Sequence, residues 1–137
     1  MEKPTRDPST SPVIFGEVLL DRFEDGREVL GGAPFNVARH LVGFGRPPLF
    51  LSRVGRDDRG RRIREAMASW GMRTDGLQED TARPTGLVRA ILRDGQPEFR
   101  IEPEQAYDHV DFAEAAATAP RSAPLLYHGS LALRTAS

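Results

Sequence analysis

Gly31-Gly32-Ala33-Pro34-Phe35-Asn36 sets two glycines directly ahead of a helix whose first turn carries a carboxamide, and Asp21 closes the apolar run upstream. These residue types suit a small-molecule site. Glycine admits positive φ and lets a ligand approach the backbone without meeting a Cβ. A helix start turns its free N–H groups and the positive end of its dipole toward whatever occupies the glycine turn. Pro34 fits the first helical position, where a missing N–H costs nothing. Taken alone, a tight strand-to-helix connection capped by Asn36 accounts for the same residues, and Asp21 alone is compatible with a strand end bonding a turn backbone.

The elements that would position these groups follow from periodicity. Pro12 to Leu20 is a nearly continuous apolar run, which predicts one strand buried on both faces of a parallel sheet and ended by Asp21. Asp25-Gly26 is a turn, Arg27–Leu30 a short strand, and Val37, Leu41 and Phe44 give the glycine-led helix its apolar stripe up to Gly43 and Gly45. Pro48–Val54 reads as a second buried strand. Asp57–Trp70 is a helix with Ile63, Ala66, Met67 and Trp70 on one face, an arginine-rich outer face and Gly71 as its stop. Between Thr85 and Glu102 two alternating runs flank Asp94-Gly95, which predicts an antiparallel hairpin. Asp111–Ala119 is a short alanine-rich helix stopped by Pro120, and Leu125–His128 another central strand. Strands alternating with helices predict an α/β unit, and the hairpin pieces should leave its main sheet. Such cores bind ligands at the C-terminal ends of their strands, where Asp21, the glycine pair and Gly129-Ser130 are expected to gather.

Bulk properties narrow the function classes. A chain of 137 residues makes one domain of ordinary size, and residues 1–12, rich in Pro, Ser, Thr and charge, are expected to form a disordered tail. With 19 basic and 20 acidic residues the net charge is −1, so nucleic acid and anionic membrane are not expected partners. There is no cysteine, which removes disulfides and thiolate chemistry. No run is long enough to span a bilayer, and the simplest expectation is a soluble cytoplasmic protein. His40, His109 and His128 lack ligand spacing, so no metal site is expected. Asp57 and Asp58 are expected to complement a helix dipole. Arg53, Arg56, Arg59, Arg61, Arg62 and Arg64, interleaved with acids, read as a solvated face. Tyr107, Tyr127 and Trp70 read as packing residues, and Arg100 as either a substrate contact or a cross-strand ion pair. Neither a G-x-G-x-x-G nor a G-x-x-x-x-G-K motif is present.

An apolar strand ending in Asp21, the GGAPFN helix start, Val54-Gly55-Arg56-Asp57-Asp58 followed by Gly60, and the Thr85-Gly86 hairpin together resemble the PfkB, or ribokinase-like, carbohydrate kinases, the fructokinase-like branch most closely. The resemblance runs from Val13 to about Leu133. It implies an α/β Rossmann-like ribokinase fold with a small β-sheet lid, here as its N-terminal part (13–137), with lid segments 26–32 and 84–102. It also implies phosphoryl transfer from ATP to a sugar hydroxyl, with Mg2+ and ATP serving the complete enzyme. By position, Asp21, Gly31, Gly32 and Asn36 match the family's sugar-binding residues, a set suited to an uncharged ligand with many hydroxyls. Serine at 130, where ribokinases proper carry a glutamate, points to the fructokinase-like branch. The family's G-A-G-D segment, which supplies the catalytic aspartate, has no counterpart here, so no catalytic or cofactor-binding residue is expected in this chain, which alone is expected to be inactive. The alternative is a non-catalytic sugar-binding module or one that forms a homodimer through the lid.

Overall fold

A computed structural model describes residues 10–135 of the chain. Most of the expected tail, residues 1–9, lies outside them. Its last residue belongs to the fold, since the Pro12 carbonyl accepts the Leu49 N–H at 2.9 Å.

The strands are β1 (Val13–Phe15), β2 (Leu19–Arg22), β3 (Glu28–Gly31), β4 (Leu49–Gly55), β5 (Leu77–Asp80), β6 (Gly86–Arg93), β7 (Gln96–Ile101) and β8 (Leu126–His128), with helices α1 (Ala33–Gly43), α2 (Asp58–Ser69) and α3 (Phe112–Thr118). They form two four-stranded sheets, ordered β5-β4-β1-β8 and β3-β2-β6-β7. The first is wholly parallel. The second joins β2 to β6 in parallel and is otherwise antiparallel.

Alternation along β1 and β4 explains why both faces of the parallel sheet are covered. Ile14 and Phe50 point to one side, where Phe35 and Ala38 of α1 and Ile63 and Met67 of α2 complete a core. Val13, Phe15, Leu49 and Leu51 point to the other, against Tyr107, Val110 and Ala115. A strand with two buried faces tends toward a continuous apolar run, the pattern of β1 and of the first three residues of β4, which then carries Ser52 and Arg53.

Three expectations change. The apolar run 12–20 is not one strand. It breaks at Gly16, whose φ of 153° turns the chain out of the parallel sheet, and β2 then begins the second sheet. Asp21 therefore lies on β2 in the second sheet, not at the tip of a central strand. Leu125–His128 yields β8, an edge strand whose Leu126 is 64% exposed. Finally, β5 carries no β-branched or aromatic residue and was not expected; its pairing with β4, from Ser52 opposite Leu77 to Gly55 opposite Asp80, overrides its weak propensity.

Candidate functional site

In the second sheet Asp21 stands opposite Val29 on β3 and Val88 on β6, and Val88 opposite Ile101 on β7. All four side chains thus share one face of the sheet. Among the described residues the Asp21 carboxylate has no hydrogen-bond or ion-pair partner, and burial raises its pKa above the ordinary aspartate value. A half-buried acid left without a partner is costly to the fold and open to a donor from outside.

The glycine pair has two separate steric reasons. A Cβ at Gly31 would lie 2.5 Å from Asp21 Oδ2, so Gly31 makes room for the carboxylate. Gly32, the N-cap of α1, has φ of 106°, and a Cβ there would lie 2.7 Å from the Glu17 carbonyl oxygen. Only glycine takes both the conformation and the close approach. The structure therefore brings Asp21, Gly31 and Gly32 to one corner. Asn36 follows in the first turn of α1, exposed, with its N–H bonded to the Gly32 carbonyl at 2.9 Å. Its side chain does not cap the helix, which has no side-chain cap at all. Pro34 falls at the second helical position, one later than expected.

Glu17 was missed by sequence reasoning. It is 5% exposed, its Oε2 has no hydrogen-bond partner, and burial raises its pKa while the N–H groups of Glu17 itself and Ala33 pull it back down. It supplies the negative charge that the start of α1, with no acidic residue in its first turn, otherwise lacks. The signal was present as a single carboxylate inside the run Ile14-Phe15-Gly16-Glu17-Val18-Leu19. Tyr107 lies beneath this corner, fully buried, its hydroxyl unpartnered and its pKa pushed up to about 12, chiefly by burial. The ring of Pro34 is wedged between two strand ends: a Cβ at Gly16 would lie 2.3 Å from its Cγ, and one at Gly129 2.6 Å. Gly129 thus borders the corner, while Ser130 is exposed just beyond it.

The pfkB family carbohydrate kinase profile matches residues 7–136. The chain belongs to that family. It is 33% identical over 112 residues to D-beta-D-heptose 7-phosphate kinase of Bordetella bronchiseptica, a match covering 68% of this chain and 35% of that one. Fructokinase-2 of Solanum habrochaites is 31% identical over 134 residues, covering 88% of this chain and 41% of the relative. Among solved structures, an uncharacterized sugar kinase from Pyrococcus horikoshii superposes with a TM-score of 0.80 at 26% identity, over 90% of this chain and 44% of that one. Fructokinase from Xylella fastidiosa with bound ATP gives 0.75 at 25% identity, over 96% and 42%. The chain spans about two fifths of the length of these relatives. The α/β ribokinase fold expected from the sequence is therefore present, in its N-terminal part.

Elsewhere in this PfkB-family chain the family-like segment Gly55 to Gly60 has a bonding role. Asp57 caps α2 through the Gly60 N–H at 2.8 Å and also accepts the Thr85 N–H at 2.8 Å and the Thr85 hydroxyl at 2.7 Å. Thr85 Oγ1 in turn accepts the Gly55 N–H at 2.9 Å. Burial would raise the Asp57 pKa, but the Thr85 and Gly60 donors outweigh it and hold the carboxyl below its ordinary value. The expectation that the arginines form only a solvated face is corrected at four positions: Arg59 and Arg62 both bind Glu28 on β3, Arg53 binds the His109 carbonyl and Asp80, and Arg64 binds the Thr74 and Leu77 carbonyls. Arg61 keeps the expected role, exposed and paired with Asp58 and with Glu65.

Proposed function

We propose that this chain is the sugar-binding part of a fructokinase-like PfkB kinase, with the second sheet as a lid over the sugar. Asp21 and Asn36 bind sugar hydroxyls, and the backbone at Gly31 and Gly32 lies against the sugar ring. The observation that carries this reading is the unpartnered, half-buried Asp21 carboxylate, seated against a glycine that exists to accommodate it. A carboxylate that accepts two hydroxyls from a neutral polyol regains the hydrogen bonds it lacks in the free protein. Closure of the sheet would keep water from competing with the sugar as phosphoryl acceptor in the longer enzyme.

ATP and Mg2+ belong to that longer enzyme. Among the described residues no group of three or more His, Cys, Asp or Glu side chains is placed to hold a metal ion. Among them, too, no helix is long and apolar enough to cross a membrane.

Calorimetric titration of the purified chain with ketoses and aldoses tests the reading. The expected result is binding of a ketohexose that weakens on Asp21→Ala. Equal affinity in wild type and variant would remove Asp21 from the site. A coupled phosphoryl-transfer assay on a chain of the relatives' full length tests the reaction itself.

A second reading rests on a specific surface. On the Asp21 face of the second sheet, Val29, Leu92, Phe99 and Ile101 are 44%, 61%, 59% and 42% exposed. Such an apolar face suits a homodimer formed lid against lid. Sedimentation across a concentration range tests it: Phe99→Glu should shift the chain toward monomer.

A further inference from the structure

The back of the second sheet is held to α2 at two places of different character. The first is the Asp57 and Thr85 junction at the foot of β6, where Thr85 is 1% exposed. The second lies on β3. Arg59 Nε and Nη2 donate to Glu28 Oε1 at 3.0 and 2.7 Å, and Arg62 Nη1 donates to Glu28 Oε2 at 2.8 Å. Both carboxylate oxygens are taken, and the two arginines reach Glu28 from one face of α2 because they are spaced i, i+3. These side chains are 14% exposed for Glu28, 28% for Arg59 and 39% for Arg62. Glu28 stands opposite Arg22, one residue beyond Asp21, and the same strand ends at Gly31.

We propose that Arg59 and Arg62 are positioning residues for the sugar site: by gripping Glu28 they fix β3, and with it Gly31 and Gly32, in the register that Asp21 requires. This rests on the sugar-binding reading above. The Asp57 and Thr85 junction holds the foot of β6, and the Glu28 pair is the latch that holds β3 against α2. Its chemistry suits that role, since the Glu28 carboxylate is 14% exposed and has both oxygens taken by the two guanidinium groups. A planar guanidinium fork also sets direction as well as distance, which a lysine would not.

The experiment compares the wild-type chain with Glu28→Gln, with Arg59→Gln/Arg62→Gln, and with the triple variant. Ketohexose affinity is read by calorimetry, local opening by amide hydrogen exchange, and global stability by thermal unfolding. Glu28→Gln should weaken sugar binding about fivefold and speed exchange on β3, with the melting temperature within about 3 °C of wild type. The triple variant should be no worse than either parent, because all three remove one latch. In about 1 M salt the wild type should approach Glu28→Gln, since screening then acts within about 3 Å. The swap Glu28→Arg with Arg59→Glu/Arg62→Glu should recover affinity that either half alone loses. Unchanged β3 exchange in Glu28→Gln, additive effects in the triple variant, or no recovery in the swap would each overturn the latch. If the wild-type chain binds no sugar, the sugar-binding reading falls, and β3 exchange alone still decides whether the latch exists.

Discussion

Asp21 and Asp57 are the same side chain in opposite circumstances. Asp57 receives donors from Gly60 and from both groups of Thr85, and its pKa falls despite burial. Asp21 receives none, and its pKa rises. A carboxylate saturated by its own chain serves the fold, while one left bare is open to a donor from outside. The difference gives a physical contrast between two aspartates that the sequence already assigned separately, Asp57 to a helix start and Asp21 to the proposed sugar site.

The largest test of that contrast is Asp57→Ala. It strands the buried Thr85 and uncaps α2, and should destabilise the chain by about 3 kcal/mol in denaturant titration. Asp21→Ala comes next and should act on binding alone. Ketose affinity should fall by about 2 kcal/mol, the worth of a hydrogen bond to a charged group, with unfolding stability unchanged or raised. Loss of stability comparable to Asp57→Ala would erase the distinction. Glu17→Ala removes a buried acid whose raised pKa marks its charge as unfavourable on balance, so the expected change in thermal unfolding is within about 1 kcal/mol of wild type.

The two aspartates should also tilt the pH profile in opposite directions. Asp57 has a depressed folded pKa, so its contribution is complete above the unfolded value of about 3.9 and is lost as pH falls through the folded one. Asp21 has a raised folded pKa, so its contribution is complete below about 3.9 and is lost as pH rises through the folded one. Melting curves of Asp57→Asn should therefore lose acid sensitivity, and those of Asp21→Asn should gain stability toward neutral pH. The smallest effect is expected of Asn36→Ala. Its side chain is exposed and makes no cap, so stability should stay within about 0.5 kcal/mol while sugar affinity drops.

Much of the architecture was legible because burial writes a strong pattern. The parallel strands β1 and β4 read as apolar runs, β4 interrupted by Ser52-Arg53, α2 as an amphipathic helix, and the hairpin as two alternating runs around Asp94-Gly95. The break at Gly16 was marked only by Gly16-Glu17 inside an otherwise apolar run, since a chain passing from one buried sheet into another stays largely apolar. β5 was hidden for the converse reason: Leu-Gln-Glu-Asp has no strand propensity, and only β4 beside it makes it a strand. In the candidate site the glycine pair stood out, but why each glycine is required did not, because Gly31 answers to Asp21 and Gly32 to the Glu17 carbonyl across the fold. Glu28 looked like an ordinary charge on a short strand. Its significance depends on Arg59 and Arg62, more than thirty positions away, and periodicity carries no record of such a pairing.

The Pro34 ring wedged against Gly16 and Gly129 has an evolutionary consequence. With contacts that a methyl group on either glycine would bring to 2.3 and 2.6 Å, neither position can vary by itself; shrinking the ring to alanine would relieve Gly129, whose next neighbour is Glu17 Oε2 at 3.0 Å, but Gly16 would still meet the retained Cβ at 2.9 Å. Change at this corner must then arrive in a set order, the helix residue first and Gly129 afterwards, so two sites far apart along the polypeptide should drift through relatives as a single epistatic unit while Gly16 stays fixed.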